Sequence, residues 1–140
     1  MASTIYDITI NEGDDLYFTT TIQLVNADCS VYTPNISGDS FSGTIVNNYN
    51  DKIILTTLNC SVINASGGVI SVSLPASGGD AISTCISCID PNQRVMDLGF
   101  YTVDWYSATT LRTNRLLEGQ ASFSRSANYG GVIQSTNNVC

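Results

Sequence analysis

The sequence predicts an all-β domain, an antiparallel β-sandwich of about seven strands. Three observations predict it. Apolar and polar residues alternate through much of the chain. In residues 101–106, Tyr101, Val103 and Trp105 fall on one face and Thr102, Asp104 and Tyr106 on the other. This period of two belongs to half-buried strands, whose successive side chains point to opposite faces. Clusters of Gly, Asn, Asp, Ser and Pro separate the alternating runs at the spacing of a sandwich. No stretch of useful length carries the helical period.

The elements follow in order. A first strand is expected over residues 4–10, ended by the turn Asn-Glu-Gly-Asp-Asp at 11–15. A long second strand over 16–25 puts Leu16, Phe18, Ile22 and Leu24 on one face. Residues 26–39, rich in Asn, Asp and Ser, read as a loop. A third strand covers 40–47, and another covers 52–63 with Ile54, Leu58, Cys60 and Val62 in phase. Gly67-Gly68 ends it, and 69–74 alternates again with Ile70, Val72 and Leu74 inward. Residues 75–96 read as a loop with room for a short helical turn. A hairpin over 97–123 closes the set, with Leu117, Ala121 and Phe123 on one face and Glu118 and Gln120 on the other. The expected core is Leu16, Phe18, Ile22, Ile45, Ile54, Leu58, Ile70, Val72, Tyr101, Val103, Trp105, Leu117 and Phe123. The sandwich domain then spans 1–125, and 126–140 form a polar C-terminal arm.

Composition bounds the chemistry. At 140 residues the chain is long enough for one domain with a real core. Charged residues make up 12%, about half the usual share. Five basic residues against twelve acidic ones give a net charge of −7. That balance argues against nucleic acid, whose phosphates are held largely by Lys and Arg. There is no histidine, which removes the commonest general base and excludes Ser-His-Asp and Cys-His nucleophile systems. No run of about 18 apolar residues suggests a membrane span. The N-terminus has neither the basic region nor the apolar core of a signal peptide, so synthesis in a cytoplasm is expected.

The five cysteines are Cys29, Cys60, Cys85, Cys88 and Cys140. An odd number without a secretory signal does not read as a disulfide framework. Cys85-Ile-Ser-Cys88 has the spacing of zinc and redox sites, but the only candidates for a second ligand pair, Cys29 and Cys60, lie far apart in sequence. A redox site would also want the motif at a helix N-terminus. Ordinary thiols or a local Cys85–Cys88 disulfide are therefore expected, with no metal and no cofactor. Cys60 reads as a small hydrophobe within a strand.

Asp97-Leu-Gly-Phe-Tyr-Thr-Val103 resembles the sixth strand of immunoglobulin-like domains. There a tyrosine hydroxyl ties a corner to the preceding backbone. The resemblance gives that role to Tyr101, and to Val103 the place of a disulfide cysteine. Over residues 5–124 the chain resembles a small immunoglobulin-like module of tailed-bacteriophage virion proteins. That module is found as the N-terminal domain of phage baseplate upper proteins and as stand-alone structural proteins in cyanophage-like genomes. Asp7-Ile-Thr-Ile-Asn-Glu-Gly-Asp14 leads into Leu16-Tyr-Phe-Thr-Thr-Thr-Ile22, followed by Phe41-Ser-Gly-Thr-Ile45 and Gly67-Gly-Val-Ile-Ser-Val-Ser-Leu74. Gly99, Tyr101 and Asp104 match a G-x-Y-x-x-D strand, and Leu116 and Gly119 match the L-x-x-G step after it. The chain departs from the pattern in its longer Cys85 loop and its C-terminal arm.

The resemblance implies a non-enzymatic structural component of a phage particle that joins virion subunits, with the tail, baseplate or fibre-attachment region favoured. Its partners would be itself and other virion proteins, met through edge strands or an inserted arm. It would reside in the virion after synthesis in the host cytoplasm. Two alternatives stand beside this reading. One is a capsid decoration or cement protein. The other is a carbohydrate- or receptor-binding module that stacks Tyr32, Tyr49, Tyr106 or Tyr129 on a host-surface glycan. Asp14 and Asp15 read as solvated turn residues, and Asp104 as a cross-strand ion-pair partner of Arg115, so no catalytic residue is expected. Asn35, Asn59 and Asn64 fit the glycosylation acceptor pattern, a chance match in a polar chain without a secretory signal.

Overall fold

A computed structural model describes residues 3–48, 50, 52–75 and 95–125. Among these the fold is all-β without a helix, with 65% of the residues in strands. The strands are β1 (Thr4–Ile5), β2 (Ile8–Asn11), β3 (Leu16–Thr21), β4 (Leu24–Val25), β5 (Val31–Tyr32), β6 (Ser40–Val46), β7 (Ile54–Asn64), β8 (Val69–Leu74), β9 (Val95–Ser107) and β10 (Arg112–Ser124). One curled sheet runs β1-β10-β9-β6-β7-β8-β3, with β2 also on β10, and β4 and β5 form a separate ribbon.

The sheet is mixed, a correction to the expected antiparallel arrangement. β1 and β2 run parallel to β10, with Thr4 opposite Leu117 and Ile8 opposite Ala121. Alternation reports which face a side chain takes, not the direction of its neighbour. β7 changes partner along its length. Residues up to Leu58 pair with β6, and Asn59 onward pair with β8. This change of partner lets the sheet wrap a single core.

That core joins Ile45, Tyr101, Val103 and Phe123 to Ile70, Val72 and Leu74. Each fully buried apolar side chain of this size contributes about 1.5–3 kcal/mol. Trp105, Leu117, Leu58 and Ile22 are buried as expected, while Leu16 and Phe18 are half-buried against the core. Ile54 is the exception, at 61% exposed. A bulge explains it. Ile45 pairs with Thr56 and Val46 with Ile54, which leaves Leu55 unopposed. The extra residue reverses the phase, so Leu55 packs on the core and Ile54 faces out.

Two expected strands are shorter than their alternation. The 4–10 segment breaks at Tyr6-Asp7. The 16–25 segment leaves the sheet after Thr21, and Leu24 and Val25 pair instead with Tyr32 and Val31 inside the expected loop. In the closing hairpin, Leu116 is unopposed between Arg115 and Leu117, and Leu98 is unopposed before Gly99. Gly99 has φ +150, and a Cβ there would lie 2.1 Å from the Val46 carbonyl oxygen. Only glycine fits that approach.

Candidate assembly surface

The N-terminal strand is pinned at its break. Tyr6 N–H donates to the Glu118 carbonyl at 2.9 Å. Asp7 Oδ1 accepts the Gln120 N–H at 2.9 Å, standing in for a backbone acceptor. The buried Tyr101 hydroxyl donates to the Tyr6 carbonyl. Burial, then the nearby Tyr6 and Asp7, push the Tyr101 phenol above its ordinary range. This differs from the role the resemblance implies, because the hydroxyl ties down the opening strand rather than the backbone just upstream. Gly119 makes room, since a Cβ there would lie 2.4 Å from the Tyr6 carbonyl oxygen.

Glu118 closes this site on the solvent side. Its Oε2 accepts from Ser3 Oγ at 2.6 Å and meets Arg115 Nη1 at 3.1 Å. The Ser3 hydroxyl first, and then Arg115, hold its carboxyl below the usual range. Arg115 does sit opposite Asp104 in the ladder, but its guanidinium pairs with Glu118. The bulge at Leu116 lies directly between Arg115 and the register of Leu117.

The two ends of the sheet, β1 and β3, approach each other across a seam. The Tyr6 and Phe18 rings meet there with centroids 5.3 Å apart. A groove of about 270 Å³ lies between Thr4, Tyr6, Phe18, Thr19, Thr20 and Leu117. On the β3 side, Tyr17 is 62% exposed, and Thr19 and Thr21 are also exposed.

Near the turn of the closing hairpin, Asp39 joins a loop to β9. Its Oδ2 accepts from Trp105 Nε1 at 2.8 Å, and its Oδ1 accepts the Ala108 N–H at 2.9 Å. Phe41 stacks on Trp105 with centroids 6.4 Å apart. Beside them Leu24 carries the β4–β5 ribbon, whose Val25, Val31 and Tyr32 are exposed. Sequence reading missed Asp7 and Asp39. Both are single acids in loops, and what makes them structural is a partner more than sixty residues away.

Of the tyrosines considered for sugar stacking, Tyr32 and Tyr106 are exposed and belong to different strands. Tyr49 and Tyr129 lie outside the described residues, as do Cys85, Cys88, Cys140 and the 126–140 arm. Cys29 is exposed in the turn between β4 and β5, and Cys60 is half-buried on β7. Burial pushes the Cys60 thiol up to about 11. Among the described residues no three of His, Cys, Asp and Glu gather to hold a metal ion. Among them, too, no helix is long and apolar enough to cross a membrane. Two of the glycosylation-pattern asparagines shape turns. Asn35 Oδ1 accepts the Ser37 N–H, and Asn64 Oδ1 accepts the Gly67 N–H, each at 3.0 Å. Compared with known proteins, the sequence matches no family model and no curated protein.

Proposed function

We propose that this chain is a non-enzymatic structural module, an immunoglobulin-like β-sandwich that works by binding copies of itself and neighbouring proteins. The particular setting we propose is a tailed-phage particle, where it joins virion subunits in the tail, baseplate or fibre-attachment region. The observation that carries the reading is the path of the sheet. Its opening strand lies parallel on β10, β9 and β6 follow, and β7 passes from β6 to β8 and β3. Such a path supports two packed layers, as in immunoglobulin-like modules. Among the described residues it also leaves strand edges, in a chain with few charges to protect them.

The test is mass spectrometry of purified particles with heads separated from tails. The chain is expected in the tail fraction. Recovery from heads moves it to the decoration or cement reading, and absence from both overturns the proposal. Deleting 126–140 is expected to leave the fold intact and weaken incorporation. The exposed rings of Tyr32 and Tyr106 favour host-surface glycan as the second reading. A glycan array with purified protein separates the two.

A further inference from the structure

We propose that β3 pairs edge to edge with β3 of a second copy, antiparallel and about a two-fold axis at Thr19. This rests on the structural-module reading above and names its interface. The first observation is the state of the edge. β3 ends the sheet path and pairs with β8 over all six of its residues without a bulge. Ile22 N–H donates to the Gly68 carbonyl at 2.8 Å, so residues 16, 18, 20 and 22 turn their backbone groups toward β8. In an antiparallel ladder such residues alternate. The N–H and C=O groups of Tyr17, Thr19 and Thr21 therefore face away from β8, where no ladder partner is found among the described residues. Groups so placed call for another strand.

The second observation is that residues 16–23 contain no charged residue and no proline, the devices that usually blunt an edge. The third is self-complementarity. An axis at Thr19 sets Leu16 against Ile22, Tyr17 against Thr21, Phe18 against Thr20, and Thr19 against itself. Half-buried residues then meet core-facing ones, exposed residues meet exposed ones, and residues with outward backbone groups meet each other. Tyr–Thr and Thr–Thr are favourable cross-strand pairs. The same register puts Asp15 opposite Gln23 rather than another acid, whereas moving the axis to Phe18 would bring Asp14 against the apolar Ile22. An isologous interface of this kind closes at two subunits.

The experiment uses the full chain in sedimentation equilibrium, with Thr19→Lys, Thr19→Pro and the control Thr113→Lys on exposed β10. Wild type and the control are expected to dimerise. Both Thr19 variants are expected to weaken the dimer at least about tenfold while thermal unfolding of the monomer stays cooperative. Oxidised Thr19→Cys should cross-link to itself, because hydrogen-bonded partners lie about 5.5 Å apart at Cα, within disulfide reach. Tyr17→Cys and Thr21→Cys should link only when mixed, and peptide mapping distinguishes these bonds from ones to native cysteines. Three results would overturn the inference. One is a monomeric wild type whose Tyr17, Thr19 and Thr21 amides resist exchange, which would mean that the same chain covers the edge. Another is a dimer indifferent to Thr19→Lys. The third is a dimer lost on deleting 126–140 without the Thr19→Cys cross-link, which would make a neighbour's arm the occupant. Particle incorporation is scored separately. A chain present in particles but monomeric in solution sinks the edge pairing alone, and a Thr19-dependent dimer absent from particles sinks the virion reading alone.

Discussion

The Tyr101 hydroxyl donates to the main-chain carbonyl of Tyr6, joining the middle of β9 to the chain's opening strand across the intervening β10. Tyr101 itself is fully buried, so its one polar atom serves as a peg for a segment that has few contacts of its own. Tyr101→Phe leaves that carbonyl without its donor and is expected to cost about 1–3 kcal/mol in urea unfolding. Gly119→Ala should do more, since its Cβ would meet the Tyr6 backbone. Hydrogen exchange at the Tyr6 amide should quicken in both variants. An unchanged urea midpoint for Tyr101→Phe would show that water replaces the hydroxyl.

Trp105 combines a large buried body with a polar tip satisfied by Asp39. Trp105→Ala is expected to cost about 3–5 kcal/mol through the cavity it opens. Asp39→Ala, which strands the indole N–H and the Ala108 N–H, should cost about 1–3 kcal/mol. Thermal unfolding followed by far-UV circular dichroism checks both, and the native spectrum should be that of a β protein.

The bulge in β7 makes a sharp distinction between adjacent residues. Ile54→Ala should change stability by no more than about 0.5 kcal/mol, as at other exposed sites. Leu55→Ala should cost about 1–2 kcal/mol, because that side chain packs on the core. The opposite ranking in chemical denaturation would place the extra residue elsewhere in the ladder.

The two described thiols should differ in reactivity. The thiolate is the nucleophile, so raising the Cys60 thiol from 9.0 to about 11 by burial slows its alkylation at pH 8 relative to exposed Cys29. A ratio of at least about tenfold is expected by mass spectrometry, collapsing in denaturant. The linkage sign follows from the same shift. The folded state holds this proton more tightly, so its contribution to stability is complete below the ordinary value and is lost as pH rises toward 11.

Glu118 gives the opposite dependence. Its carboxyl is held low in the folded state by Ser3 and then Arg115. The stabilisation is therefore present above the usual carboxylate range and disappears as pH falls through the depressed value. NMR resonances of Ser3, Thr4 and Ile5 should shift on acidification below the usual carboxylate range, and Glu118→Gln should remove that transition.

What alternation could reveal, it revealed well. The inward set Tyr101, Val103, Trp105, Ile70, Val72 and Phe123 was legible because each run keeps one phase against one face. Ile54 was not, because a single inserted residue reverses that phase and leaves no mark in composition. The break at Tyr6-Asp7 and the parallel pairing with β10 were invisible for a different reason. They depend on Gly119 and Tyr101, which lie about a hundred residues away and meet the opening strand only when the fold closes. The candidate interface was half legible. The lack of charge in 16–23 can be read directly, but only the strand order shows that this segment ends the sheet path among the described residues.

The parallel ladder between the opening and closing strands also determines how the domain answers tension. β1 and β2 are entered from the end beside Leu117, and β10 leaves at the opposite end, beyond Ser124. A pull on the two ends of the described chain therefore acts along the strands and in opposite directions. Six paired positions, Thr4, Ile5 and Ile8 to Asn11, would be loaded in shear together instead of peeling apart one at a time. Rupture under load is governed by an unfolding rate rather than by equilibrium stability. A module held this way resists stretching along its length more strongly than its modest N-terminal contacts would suggest.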